Sequence, residues 1–464
     1  MSAPIAVSSE LLEKYATSAP RYTSYPTAVD WAEDFEPERY PDLLASAAGR
    51  DDPISVYFHI PFCAERCLFC GCNVVITRNE ERVERYLVEL ERELAMVGES
   101  GIGRRRVHQY HWGGGTPTHL DLRQIERVQA AFERVFTLTE DAEVAIEVDP
   151  RVTTPAQIEL LAKLGFNRIS LGVQDFDRAV QEDIKRVQSE EETRVVVDAA
   201  REAGMGSLNI DLIYGLPHQT RGGFEATVER ILDIRPERVA LFHYAHVPWI
   251  KKHQTAMTLD AIQSPADKLA TFLRAVEQFQ GAGYVYIGLD HFALPDDELA
   301  VALGQGELHR NFMGYTTHRG SEMVSCGVSA IGEVGGCFVQ NDANEAEYLR
   351  RVGERGFATH RGHELSADDA LRRDVILGLM CNGILRKADI EARHGIDFDA
   401  TFAGELEQLA PLERDGLVTL GGDALRLTPL GQMFMRNVAL PFDRYFKARR
   451  ERGETGKSTF SRTL

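Results

Sequence analysis

From about residue 54 onward, apolar positions along the chain recur with two alternating periods. SVYFHI (55–60) is a β-branched and aromatic run that reads as a strand. In residues 81–97, Val83, Tyr86, Leu87, Leu90, Leu94 and Val97 fall at helical spacing and predict an amphipathic helix. The same test predicts a strand at 107–112, a helix at 122–136 and a strand at 143–148. Pro155 opens a helix that Gly165 ends. A strand at 168–173, helices across 177–203 and a strand at 207–215 follow. A helix at 223–234, a strand at 238–245, a helix near 265–281 and a seventh strand at 284–289 complete the series. Strict alternation implies parallel strands joined by right-handed crossovers. The fold class is therefore α/β, a full or partial TIM-like (β/α) barrel. An open doubly wound sheet is the competing topology, and alternation alone does not separate the two.

The flanks have other rhythms. Residues 1–50 have weak periodicity, and RYTSYPTA (21–28) reads as extended because Thr, Tyr and the residue before Pro26 disfavour helix. This N-terminal arm either packs irregularly on the surface or lends Arg21, Tyr22 and Tyr25 to a lid. Residues 304–341 break the βα pattern: HRNFMGYTTH (309–318) is rich in hydrogen-bonding groups. GVSAIGEVGGCFVQN (327–341) reads as a glycine-rich hairpin or as backbone that approaches a ligand closely. Helical stretches at 366–381, 387–394 and 399–414 precede two strands joined by a Gly-Gly-Asp turn within 417–428, a winged-helix-like order. The expected organisation is an arm at 1–50, the barrel at 51–360, a mostly helical C-terminal domain at 361–446 and a disordered polar tail at 447–464.

Composition narrows the function classes. The formal net charge of −19 argues against nucleic acid, which needs a basic field. It also means that an anionic substrate must be held by local arginines. No apolar run is long enough to cross a bilayer, and the first residues lack a basic and then apolar leader. The cytoplasm is the default location, without membrane insertion, and a monomer is expected.

The candidate chemistry centres on residues 57–73. Cys63, Cys67 and Cys70 stand at C-x3-C-x2-C spacing, with Cys72 close behind. Thiolates this close on one loop can face one point, and three of them leave one iron of a four-iron cluster without a protein ligand. A small molecule with an amino and a carboxylate group can occupy that iron. Tyr57, Phe58, Phe62, Leu68 and Phe69 would keep water away. A structural zinc site is the alternative, although zinc sites usually bring two separated cysteine pairs. Seven cysteines, an odd number, and no secretory leader speak against disulfides, and Cys326, Cys337 and Cys381 read as buried apolar residues.

Other unusual residues fall at strand ends. Gly113-Gly114-Gly115-Thr116-Pro117 follows the second strand, Glu147 ends the third and Gln174 follows the fourth. Asp211 lies near the end of the fifth, and Ala245 and His246 close the sixth. In a βα barrel these ends share one opening. The glycines mark a tight turn or expose backbone to a ligand. Glu147 in an apolar strand needs a partner, because an unpaired buried carboxylate is costly. Gln174 and Asp211 carry the same argument more weakly. Arg186 reads as a solvated helix residue, and Arg104, Arg105 and Arg106 as a solvated loop on the opposite face.

HIPFCAERCLFCGC, with its extra Cys72, resembles the oxygen-independent coproporphyrinogen III oxidases of the radical S-adenosylmethionine superfamily. RYTSYPTA, YHWGGGTPT, NIDLIYGLPHQT, YAHVPWIKKHQ, HRNFMGYTT and GVSAIGE resemble the same family in the same order, from about residue 21 to beyond 430. One departure is Val187, where an acidic residue is expected. The resemblance implies a 4Fe–4S cluster on Cys63, Cys67 and Cys70, with Cys72 nearby but not a ligand. It implies two molecules of S-adenosylmethionine. Tyr57, Gly114 and Glu147, with Ile331 alongside, look like contacts to the first. Phe69, Gly115, Thr116, Gln174, Arg186, Asp211 and Ala245 look like contacts to the second. The implied reaction begins with reductive cleavage to a 5′-deoxyadenosyl radical, which removes a hydrogen from a substrate propionate. Loss of CO2 and one electron leaves a vinyl group, and two rounds convert coproporphyrinogen III to protoporphyrinogen IX in haem biosynthesis. An electron donor and an acceptor are required partners that the sequence does not identify. Tyr57 and His59 are the candidate catalytic side chains; His59 either tunes the cluster or handles a proton, or is a satisfied core histidine. Arg21 and Arg310 are candidate clamps for substrate carboxylates. A related haem chaperone shares the cysteine region but usually lacks the RYTSYPTA arm and the second cysteine of the C-x-C, both present here. A metal-stabilised structural protein without turnover is the third reading.

Overall fold

The structure is a computed structural model and describes residues 7–454 apart from 16, 32–34 and 37. The chain divides into two compact units. One comprises Trp31–Leu212 and Gly320–Leu365; the other comprises Met1–Asp30, Ile213–Arg319 and Ser366–Leu464.

The first unit is built on five parallel strands: β1 (Ile54–Ile60), β2 (Arg106–Gly114), β3 (Thr137–Val148), β4 (Arg168–Gln174) and β5 (Ser207–Tyr214). They lie side by side in chain order. β1 is buried apart from Tyr57, which is partly open, and a strand covered on both faces reads as a continuous apolar run for this reason; β4 and β5 begin with half-buried and buried residues in alternation. Each crossover helix starts at a side-chain cap. Asn79 caps Glu80–Glu99, and Asp121, Thr154 and Ser189 form capping boxes with Gln124, Gln157 and Glu192. On the far side of β1 lies Met323–Cys326, parallel to it, with Tyr57 opposite Ser325. Ile331–Val334, Cys337–Asn341 and Thr359–Glu364 continue the sheet in antiparallel order. The expected glycine hairpin is therefore present, turning at Gly335 and Gly336, both with left-handed φ.

Arg105 corrects the solvated-loop reading. Its side chain is buried, donates to the carbonyls of Asp52 and Ala47, and pairs with Asp52 and Glu322. The neighbouring Arg104 and Arg106 are exposed, as expected.

In the second unit the seventh expected strand does not lie beside the sixth. Val285–Gly288 turns at Leu289 and Asp290 into His291–Ala293, and that short strand takes the antiparallel place next to Arg238–His243. Gly288, with φ 136°, makes the reversal possible. In the C-terminal region, helices Ala367–Asn382, Lys387–His394 and Ala403–Arg414 come in the expected order. The pair Val418–Leu420 and Ala424–Leu427 gains a third strand, Ile384–Arg386, too short for its pattern to be read.

The arm's RYTSYPTA stretch is not a surface strap. Tyr22 and Tyr25 are fully buried, Tyr22 donates to Asp443, and the Tyr25 hydroxyl accepts from the Arg444 N–H. Arg436, also buried, donates to the carbonyls of Ala19 and Pro20. The segment expected to be disordered from 447 begins inside a helix, Arg444–Glu451, which Arg449 ties to Asp30; residues 455–464 lie outside the described residues. No helix among the described residues is long and apolar enough to cross a membrane.

Candidate functional site

A cavity of about 410 Å³ opens where β1 to β4 end, beside Asp211 of β5. Its wall includes Cys63, Cys67, Phe69, Cys70, Gly114, Gly115, Thr116, Glu147, Gln174, Arg186 and Asp211. Tyr57, His59, Ile331 and Ala245, and the candidate clamps Arg21 and Arg310, are not in the wall. Tyr57 and His59 lie within β1, Ile331 begins the strand Ile331–Val334, and Ala245 follows Arg238–His243 in the other unit. Ala245 accepts a hydrogen bond from Gln254 through its carbonyl.

The cysteine loop is pinned at both ends. Phe62–Cys63 pairs with Val75–Ile76, and the Leu68 N–H donates to the Ile184 carbonyl at 2.9 Å. Burial pushes the Cys63 thiol up to about 11; Thr116, 3.7 Å away, pulls the other way, and Cys70 and Cys67 add to the rise. Such a thiol is a poor free nucleophile at neutral pH. Among the described residues no group of three His, Cys, Asp or Glu is gathered for a metal ion. Tetrahedral zinc needs sulfurs at ~2.3 Å from one point, whereas a four-iron cube is a larger object with one corner per thiolate. Cys72 is exposed and also lines the cavity.

A charged network surrounds Cys67. Arg186 is buried, against the reading of a solvated helix residue: Lys185, with φ 53°, follows the short helix Arg178–Asp183 and turns Arg186 inward. Its Nη1 pairs with Asp149 at 2.9 Å and lies 3.6 Å from the Cys67 sulfur, while its Nη2 donates to the Gly172 carbonyl at 2.6 Å. Arg151 pairs with the same carboxylate at 2.6 Å and lies 3.5 Å from the same sulfur. Burial raises the Asp149 carboxyl, but Arg186 and Arg151 outweigh it and hold the group below the usual range. The sequence reading missed Asp149, Arg151 and Ser170. The signal was available for two of them, since Asp149 and Arg151 lie two and four residues past Glu147, just beyond the end of β3.

Glu147 reaches the cavity from β3. Its Oε2 accepts from the Gly114 N–H at 3.2 Å, and its Oε1 meets His111 Nε2 at 3.3 Å. Burial pushes this carboxyl up, yet His111 and the Gly114 N–H prevail and keep it below the ordinary value. Asp211 behaves oppositely. Burial and then the charge of Glu147 push it up to about 7, against donors on Asn209 and Ser170. Gln174 has φ 71°, and its buried Oε1 has no protein partner; Arg186 Nε is in the same state. Buried polar atoms left open at a cavity wall fit a polar ligand.

The β1 histidine is fully engaged. His59 Nδ1 lies 3.0 Å from the Tyr57 hydroxyl and Nε2 lies 2.9 Å from the Asn73 carbonyl. Nε2 therefore carries the proton and Nδ1 accepts from Tyr57. Burial lowers the His59 pKa, so the ring is neutral. Beside it Gly114 has φ 121°, and a Cβ there would lie 2.8 Å from His59 Cε1.

A family model described as the radical SAM superfamily matches residues 57–231, and one described as the HemN C-terminal domain matches residues 365–434. An oxygen-independent coproporphyrinogen III oxidase of Escherichia coli strain K12 is 44% identical over 94% of this chain and 95% of its own length. The chain belongs to the oxygen-independent coproporphyrinogen III oxidase family. A Synechocystis member of this family is 40% identical over 98% of both chains. A solved structure, described as coproporphyrinogen III oxidase (HemN) from Escherichia coli, a radical SAM enzyme, superposes with a TM-score of 0.90 and 41% identity. It covers 96% of this chain and 100% of that one. The family fold therefore extends through both compact units of the chain.

Proposed function

We propose that this protein oxidatively decarboxylates two propionate side chains of coproporphyrinogen III to vinyl groups without oxygen, giving protoporphyrinogen IX. The observation that carries the reading is that three closely spaced cysteines, the carboxylates Glu147, Asp149 and Asp211, and a buried Arg186 line one cavity at the strand ends. Family membership supplies the substrate class.

Cys63, Cys67 and Cys70 would hold a 4Fe–4S cluster, and the fit rests on their shared cavity. When bound, the cluster and S-adenosylmethionine supply the one-electron chemistry that starts hydrogen abstraction; the protein supplies position, dryness and charge. Two molecules of S-adenosylmethionine are part of the reading. Glu147, anionic at neutral pH, would take the ammonium of the first, with the Gly114 backbone close by; Tyr57 and Ile331 would act behind it. Phe69, Gly115, Thr116, Gln174, Arg186, Asp211 and Ala245 would serve the second, and the open Gln174 Oε1 and Arg186 Nε support that assignment. Tyr57 and His59 act by position: the hydroxyl–imidazole–carbonyl chain to Asn73 holds the far end of the cysteine loop. With both ring nitrogens engaged, His59 has no free site for a proton in transit.

The reaction needs an external electron donor and an electron acceptor. A cytoplasmic monomer is part of the reading, and an odd number of cysteines, seven, fits a reducing compartment. The test is anaerobic incubation of reconstituted protein with coproporphyrinogen III, S-adenosylmethionine and a reductant. Protoporphyrinogen IX formed together with 5′-deoxyadenosine is the expected result. Binding of porphyrin without either product would overturn the reading.

A further inference from the structure

Outside the cysteine cavity, Arg310 on the strand His309–Asn311 is a buried charge with open N–H groups. It is 8% exposed, and its Nε and Nη1 are buried without a hydrogen-bond partner. Among the described residues no carboxylate pairs with it. Its guanidinium lies over the Tyr315 ring, with Cζ 4.8 Å from the centroid. Arginine keeps its charge in a protein, and a buried cation without a counter-ion is costly. The ring face offsets only part of that cost.

The neighbours increase the demand for an anion. Asp290 is the nearby carboxylate, and it is already paired with Arg21 at 2.5 Å. Arg436, buried in the same unit, is disfavoured in its charged form first by burial and then by Arg21. His291 meets the Tyr315 ring edge-on at 5.1 Å, and its buried Nδ1 has no partner. Burial, followed by the charges of Arg310, Arg238 and Arg21, keeps that imidazole neutral. Asp290 thus already serves Arg21 and raises the pKa of Arg436, inside a protein whose formal net charge is −19. The open Nε–H and Nη1–H of Arg310 are charge-assisted donors for carboxylate oxygens, and a neutral His291 can add an Nδ1–H donor.

We propose that Arg310, flanked by Arg21 and His291, is a carboxylate-binding site that takes one propionate arm of the tetrapyrrole substrate. The need for an anion follows from Arg310 itself; calling it a propionate rests on the reaction proposed above.

The test uses the reconstituted holoenzyme and coproporphyrin III, the stable oxidised form of the substrate, followed by quenching of porphyrin fluorescence. R310M is expected to bind coproporphyrin III at least tenfold more weakly than the unaltered protein, and R310K to recover part of that loss. Without porphyrin, R310M is expected to melt no lower than the unaltered protein, because it removes an unpaired buried charge. An arginine with a purely structural role would give the opposite pair of results. R310M that binds within twofold of the unaltered protein, or that unfolds or melts clearly lower, overturns the site. Turnover of coproporphyrinogen III by the unaltered enzyme is measured in parallel. Arg310-dependent binding without turnover removes the reaction and keeps the site; turnover with undiminished binding by R310M removes the site and keeps the reaction. An unaltered protein that neither binds nor turns over removes both.

Discussion

Gly115 is the position where a single methyl group tests how the cysteine loop is anchored. Two backbones touch there. The Gly115 N–H donates to the Ile60 carbonyl at 2.9 Å, and the Thr116 N–H donates to the Phe62 carbonyl at 2.9 Å. A Cβ on Gly115 would lie 2.5 Å from the Pro61 oxygen and 2.7 Å from the Phe62 oxygen. Carbon and oxygen need ~3.3 Å, so the segments would have to part by about 0.8 Å. Both hydrogen bonds would then stretch to about 3.7 Å, past the ~3.5 Å at which they cease to count. Two lost bonds at about 1 kcal/mol each, with about 1–3 kcal/mol for the crowding, make G115A cost about 3–5 kcal/mol locally. Cys63 adjoins Phe62 and would move with it. Iron and sulfide per chain after anaerobic reconstitution, with the melting temperature, are the measurements. G115A is expected to retain under about half the iron, since a bound metal shares the folding free energy of its site, and to melt lower. G71A is the control: Gly71 lies between Cys70 and Cys72, but a Cβ there meets nothing within 4 Å. Full iron in G115A, or equal losses in G115A and G71A, would refute the argument that backbone contact holds the loop.

E147Q keeps the shape of the side chain and removes its charge; S-adenosylmethionine binding to the clustered protein, followed by equilibrium dialysis, is expected to weaken about tenfold or more. Asp211 has a folded pKa raised to about 7, so the folded state favours the protonated acid. Its contribution is fully present below the unfolded value of ~4 and is lost as pH rises through 7. The melting temperature of the metal-free protein should therefore fall between pH 5 and 8 by more than that of D211N, and parallel curves would refute this. R105M strands the buried Glu322 carboxylate and is expected to cost about 3–5 kcal/mol, read as a lower melting midpoint by calorimetry; Arg50, 3.2 Å from the other Glu322 oxygen, sets the lower end of the range.

Local pattern carried most of the architecture. The five parallel strands and their crossover helices follow from the periods of apolar residues, because a strand or helix must turn its own neighbours in sequence toward the core. The cysteine loop and the strand-end residues Gly114, Glu147 and Gln174 were legible for a related reason: parallel topology sends every strand's carboxyl end to one side. Where the sequence reading departed from the structure, the deciding partner lies far along the chain or the element is very short. Arg105 is buried because Glu322, 217 residues away, neutralises it. Arg186 is buried because Asp149 waits beyond β3, and no helical period records that pairing. Met323–Cys326 is four residues long, too short to show a pattern, and only the free edge of β1 makes it a parallel strand. Charge pairing, strand-edge pairing and the state of a buried group such as Arg310 are set by neighbours in space, and spacing along the chain holds no record of them.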